Sequence, residues 1–192
     1  MKKKFIGRTA AAALVLGLGA STFGAGAANA AEAKPAHDLS VNYTVSSAKA
    51  KGYAGLVAIH VKNEGSQRYY SEFPAISFRV DVKTDKGPEG VDRLITPGWF
   101  NGAYTQDLGF DEKTSTRSFM VTLANPVEVG ENQLIANLNF GDGLTKEGRL
   151  NNYIQVTQVG RLDDDKTTGN DQNVDSRQNT KTDFGKAING VF

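Results

Sequence analysis

From Ile76 to Lys83 apolar and polar residues alternate without a break. Ile76, Phe78, Val80 and Val82 take turns with Ser77, Arg79, Asp81 and Lys83. A strand points successive side chains to opposite faces, so this run needs one dry face and one wet face. The same period of two recurs along the chain: Leu39, Val41, Tyr43 and Val45; Val57, Ile59 and Val61; Phe119, Val121 and Leu123; Leu134, Ala136, Leu138 and Phe140. A last run, Tyr153 to Val159, slips parity between Val156 and Val159, which predicts a bulge. The chain has no cysteine, so no disulfide framework can hold these strands, and burial alone must do it.

Turn chemistry separates the runs. Asn63-Glu64-Gly65-Ser66, Asp85-Lys86-Gly87-Pro88, Gly130-Glu131-Asn132 and Gly141-Asp142-Gly143 supply residues that tolerate positive φ or favour reversals. No segment beyond the first thirty residues carries a long apolar stripe at helical spacing. Six clear strands, with one or two weaker ones between Val91 and Phe110, predict two antiparallel sheets packed face to face, about seven or eight strands in all. A small closed barrel is the competing all-β architecture.

The two ends differ from this middle. Lys2, Lys3, Lys4 and Arg8 precede an apolar, small-residue run from Ala10 to Ala20, and Ala28-Asn29-Ala30 gives an A-x-A pattern. Together these read as a secretory signal over residues 1–30, cleaved after Ala30. The apolar run is too short for a membrane span, which needs about twenty residues. Residues 31–37 form a short polar lead, residues 38–162 the sandwich, and residues 163–192 a polar tail. Asp163-Asp164-Asp165 opens that tail, and Thr, Gly, Asn, Gln and Ser dominate to about Thr182, too little apolar content to repay ordering. The tail is therefore expected to be largely disordered, with Phe184, Ile188, Val191 and Phe192 able to dock back.

Charge narrows the partners. The 22 basic and 21 acidic residues give +1, and the four basic residues of the leader carry no acid with them, so the exported chain has net charge −3. It has no basic block, and nucleic-acid binding needs clustered Lys and Arg. An extracellular or envelope location with no membrane span and no cofactor is the expectation.

Candidate chemistry is sparse. The two histidines, His37 and His60, lie far apart, and no G-x-S-x-G elbow offers a nucleophile. Glu72, Glu89, Asp92, Asp107, Asp111 and Glu112 could pair as glycosidase carboxylates, but loop acids are ordinary surface. The groups Asp107-x-x-x-Asp111-Glu112 and Asp163–Asp165 could offer oxygens to calcium, yet neither has the spacing of a calcium loop. No catalytic residue and no metal ligand is assigned.

Aromatic residues in two connections are the better candidates. Tyr69, Tyr70 and Phe73 lie in "SQRYYSEFP", and Trp99, Phe100 and Tyr104 in "ITPGWFNGAY". Flat rings pack on sugars or on a partner's apolar surface. A sandwich also needs large residues to plug its ends, and a lone Trp is usually buried. Trp99 is therefore expected to lean inward, with Tyr69, Tyr70 and its other aromatic neighbours as the contacts. Sandwich loops cluster at the ends, so the two connections can meet.

"GLVAIHVKNEGSQRYY", Gly55 to Tyr70, carries a V-x-V-x-N-x-G-like strand-turn in Ile59, Val61, Asn63 and Gly65. "FRVDVKTDKG" and "STRSFMVTL" follow in order. Over residues 38–162 the chain resembles the small secreted immunoglobulin-like proteins of Gram-positive bacteria. That resemblance implies an immunoglobulin-like sandwich without the inter-sheet disulfide, and a secreted binding or adhesion-type protein whose ligand is a protein or a glycan. It supplies no catalytic residues. A small envelope glycan hydrolase with paired carboxylates, and a structural accessory protein without a small ligand, are the alternatives.

Overall fold

The computed structural model describes residues 33–45, 56–84, 95, 98–139, 145–146, 149–150 and 152–182. The expected leader, the turns at 85–88 and 141–143, and residues 183–192 lie outside them. The strands are β1 (Leu39–Val45), β2 (Leu56–Asn63), β3 (Ser77–Thr84), β4 (Gly98–Phe100), β5 (Ala103–Asp111), β6 (Thr116–Leu123) and β7 (Asn132–Asn139). They continue with β8 (Thr145–Lys146), β9 (Arg149–Leu150), β10 (Asn152–Gly160) and β11 (Val174–Asp175), then the one-turn helix α1 (Ser176–Asn179) and β12 (Thr180–Thr182).

Two sheets carry the fold. One runs β12-β1-β2-β7 and the other β11-β10-β3-β6-β5-β4, while β8 and β9 pair only with each other. Alternation produces this directly. In β1 buried and half-buried residues take strict turns. Leu39, Tyr43, Val57, Ile59, Phe78, Val80, Phe119, Val121, Leu138, Ile154 and Val156 are essentially inaccessible and form one core. Each such side chain stabilises the fold by about 1.5–3 kcal/mol relative to exposure.

Two irregularities refine the strand pattern. The register of β10 against β3 shifts between Gln158 and Gly160, which is where parity slips in the sequence. A second shift falls on β7, where Ile59 faces Ala136 but His60 faces Leu134. The extra residue, Ile135, is fully buried, and Leu134 is only partly so. Simple alternation through Leu134, Ala136 and Leu138 does not contain that bulge.

The sandwich is shown, but the order of strands within it is not the immunoglobulin one. In that order the third strand pairs with the sixth. In this chain β3, the third of the described long strands, lies between β6 and β10, the fifth and seventh, while the sixth, β7, is in the other sheet.

The disordered tail is corrected for residues 163–182. β11 pairs antiparallel with β10, and β12 pairs parallel with β1, so this segment adds a strand to an edge of each sheet. Counting apolar residues missed it because hydrogen bonds hold it. The Tyr43 hydroxyl donates to the Val174 carbonyl at 2.7 Å, and the Ile154 N–H to Ser176 Oγ at 2.8 Å. The Val41 N–H donates to the Asn170 carbonyl and the Gln158 N–H to the Asp171 carbonyl. Val174 is the segment's one apolar anchor in the core.

Candidate functional site

The stretch from Gly98 to Tyr104 is a tight β-hairpin. Phe100 pairs with Ala103, leaving a two-residue loop of Asn101 (φ 47°) and Gly102 (φ 76°). Positive φ at both loop residues is the turn whose twist suits antiparallel strands, and Asn-Gly is its preferred sequence. The hairpin is pinned from outside. Asn101 Nδ2 donates to the Leu134 carbonyl, and the Ala124 N–H to the Gly102 carbonyl at 2.8 Å. A Cβ on Gly102 would sit 2.1 Å from the Asn125 side chain, so no larger residue fits there.

This hairpin sets Trp99 directly opposite Tyr104. Ala103 and Thr105 are buried, so Tyr104 between them projects to the outer face of the sheet. Trp99 shares that face and is 63% exposed. The expectation that it leans inward is overturned: β4 is a three-residue edge strand, and no further layer covers its outer side among the described residues.

Phe73 arrives from the other connection, just before a cis Phe73–Pro74 peptide, and is 48% exposed. Its ring centroid lies 5.5 Å from that of Trp99 and 6.5 Å from that of Tyr104. Trp99 and Tyr104 are 5.2 Å apart. The two aromatic connections therefore do meet. The rings are tilted by 41°, 54° and 82° to one another, so they form a ridged cluster rather than a flat plane.

The other candidates separate from this triad. Tyr69 is corrected: it is fully buried and cannot meet a ligand. It bridges to Val127, and its hydroxyl sits at the centre of a polar hub. That hydroxyl donates to Asp165 Oδ2 at 2.7 Å and accepts from Gln158 Nε2 at 2.9 Å and the Leu162 N–H at 3.1 Å. Burial, above all, raises its pKa far beyond the usual phenol range. Tyr70 is exposed and stacks under Arg68, with the guanidinium carbon 5.2 Å from its ring centre. Phe100 is half-buried.

The triad borders a polar sheet face. Register places Trp99, Tyr104, Thr122 and Ser77 in one row across four strands. The next outward row holds Gln106, Met120, Arg79 and Thr157. Arg79 is held against the sheet: Nε donates to Asp81 at 2.9 Å and a terminal nitrogen to Ser118 Oγ at 3.0 Å. Such pinning fixes a planar donor group at low entropic cost.

The acids take unrelated partners. Asp107 pairs with Arg117, and Asp111 accepts from the Lys113 N–H and the Thr114 hydroxyl. Glu72 is exposed, while Glu89 and Asp92 lie outside the described residues. Asp164 accepts from His37, whereas Asp165 turns inward to Tyr69. Among the described residues, no three acids or histidines converge as metal ligands would. His60 Nε2 lies 3.1 Å from Thr44 Oγ1 on the outer face of its sheet.

Sequence reasoning located both connections but missed which rings are free. The Asn101-Gly102 pair, flanked by aromatics, was the signal for a hairpin that would bring Trp99 and Tyr104 to one side.

No family model matches this chain, and no curated protein does. Among solved structures it is similar to one described as the unique CBM3- of Hungateiclostridium clariflavum, at 9% identity and a TM-score of 0.38, covering 68% of this chain and 98% of that one.

Proposed function

We propose that this chain is a secreted, non-catalytic binding module that holds a glycan through the exposed rings of Phe73, Trp99 and Tyr104. The observation that carries this reading is the triad itself. Three large rings from two connections stand within 5.2–6.5 Å of one another, with Trp99 63% exposed. Leaving such apolar area in water has a cost that a ligand recovers. A pyranose ring offers an apolar C–H face to an aromatic ring and hydroxyls at its edge. The adjoining Gln106, Ser77 and Arg79 supply two uncharged groups and one pinned guanidinium for those hydroxyls. The tilt between rings suits a single chain that twists more than a flat crystalline surface.

The test uses the intrinsic fluorescence of Trp99, the one tryptophan in the chain. Residues 31–192 are titrated with soluble oligosaccharides and pulled down on insoluble wall and matrix polysaccharides. A saturable blue shift with one sugar class, lost in Tyr104→Ala and Phe73→Ala, supports the proposal. Binding only to a protein partner through the same rings replaces glycan with protein. Binding to a polysaccharide with unchanged Trp99 emission removes the triad from the site.

A further inference from the structure

The aromatic triad stands at one end of a ledge that crosses the sheet. The riser of this ledge is the segment Phe73–Ala75, exposed throughout. It lies over the outer face. The Phe73 ring is 6.5 Å from that of Tyr104, and a Cβ on Gly160 would meet the Ala75 carbonyl oxygen at 2.2 Å. Thr122, the register partner of Tyr104 on that face, is accordingly buried. The tread is the next row, Gln106, Met120, Arg79 and Thr157, none of which is buried. At the far end Gln158 turns inward, so Val159 points out, and it is 50% exposed. From Trp99 on β4 to Val159 on β10 is four strand spacings, about 19 Å at about 4.8 Å each.

The chemistry of the tread is uniform. Gln106, Met120 and Thr157 are uncharged, and Arg79 is paired with Asp81 at 2.9 Å, so the row carries no net charge. Of the five N–H donors of Arg79, two go to Asp81 and Ser118, and the others remain for a ligand. β6 and β3, the middle of the tread, are each paired on both sides. Their backbone groups are used by the sheet, so a peptide cannot add to them as a strand.

We infer that the ledge extends the triad's site, and that its ligand is a linear, neutral oligosaccharide of about four rings, lying across the strands from Trp99 to Val159. This rests on the reading of the triad as a glycan site. One or two sugar rings are held by Phe73, Trp99 and Tyr104. The next cross Met120 under the Arg79 guanidinium, and the last meets Thr157 and the apolar Val159. A chain too short to leave the triad gains nothing from the tread. An acidic chain gains no more than a neutral one, because Asp81 already neutralises Arg79.

The experiment is calorimetric titration of residues 31–192 with matched pairs of sugars. The pairs are cellobiose and cellotetraose, maltose and maltotetraose, and the di- and tetrasaccharides of N-acetylglucosamine, with tetragalacturonate as the acidic control. In the pair that binds, the tetrasaccharide should bind about tenfold more tightly than the disaccharide. Arg79→Ala should remove most of that advantage and change the disaccharide affinity far less. Val159→Tyr should add a ring at the far end and tighten the tetrasaccharide on the order of threefold, with the disaccharide unmoved. Both side chains are exposed, so both variants should unfold at close to the native temperature. Equal affinity for the two lengths leaves the triad standing and overturns the ledge. A length advantage untouched by both variants also overturns it, since the chain then leaves the triad by another route. Tighter binding of tetragalacturonate than of every neutral sugar overturns the neutral class. No binding of any sugar, with Trp99 emission unmoved, removes the triad reading and this inference together.

Discussion

Trp99 and Tyr104 stand opposite each other across a two-residue turn, their ring centres 5.2 Å apart on the outer face of the sheet. The turn, more than the rings, determines that pairing. Gly102 adopts φ 76° against the Asn125 side chain, a place that admits no Cβ. Gly102→Val is expected to cost about 1–3 kcal/mol, since strain and a steric clash act together. It should also weaken ligand binding as strongly as Trp99→Ala does. Urea unfolding beside a binding titration checks both.

Trp99→Ala itself should separate stability from binding. A side chain this exposed contributes little to folding, so its loss should shift stability by no more than about 0.5 kcal/mol. Its removal should nevertheless abolish retention on the glycan that the native protein binds. A large drop in unfolding free energy would mean that the ring is structural.

Tyr69→Phe tests the buried hub. The change keeps the ring and removes one donor to Asp165 and the acceptor for Gln158 and the Leu162 N–H. Leaving such groups buried and unpaired should cost about 1–3 kcal/mol. Ligand affinity of the folded variant should match that of the native protein, as measured by denaturant titration and fluorescence.

Asp165 gives a pH signature. Burial raises its carboxyl first; Tyr69 and Arg161 oppose the rise, and Asp171 adds to it. A raised folded value means the fold prefers the neutral acid. Its contribution to stability is therefore fully present below the unfolded value of about 3.9 and lost as pH rises through the folded value. Asp175 runs the other way. Burial pushes it up, but the Arg177 side chain and N–H outweigh that and hold it low. Its contribution is present above about 3.9 and lost as pH falls through the lowered value. In Asp165→Asn the first component disappears. Stability should then climb more steeply than in the native protein from about pH 3 to about pH 6, read from denaturation midpoints at each pH.

Gly160→Ala addresses the β10 bulge. A Cβ there would lie 2.2 Å from the Ala75 carbonyl oxygen and 2.7 Å from Ser77 Oγ. Backbone on one side cannot yield, so the variant should lose about 1–3 kcal/mol. Thermal unfolding detects it. Gly169→Ala, with open space around its site, should be close to neutral and serves as the control.

Much of the sandwich could be read from alternation, because burial of one face leaves a period-two trace in every long strand. Even the β10 irregularity announced itself in the parity slip before Val159. The β7 bulge did not, since Leu134, Ile135 and Ala136 are all apolar and any two of them satisfy a core face. The 163–182 segment was misread for a different reason. Its ordering rests on hydrogen bonds to other strands, some of them very distant in sequence, such as Tyr43 with Val174. Polar composition cannot distinguish a network of that kind from solvated coil. Among the aromatics, Tyr69 and Tyr70 are adjacent in sequence and opposite in environment, as alternation demands. Which of the two faces inward depends on the bridge from Tyr69 to Val127, and nothing local encodes it.

Strand β12 lies parallel to β1, with Tyr43 beside Thr180 and Val45 beside Thr182. An early strand thus waits for residues laid down some 140 positions later before its edge is covered. Such long-range closure raises the contact order and slows folding. Until it happens, β1 offers an unpaired edge to any other extended chain nearby. Shortening the chain at Leu162 should therefore give a product that associates with itself, even though its two sheets keep most of their partners.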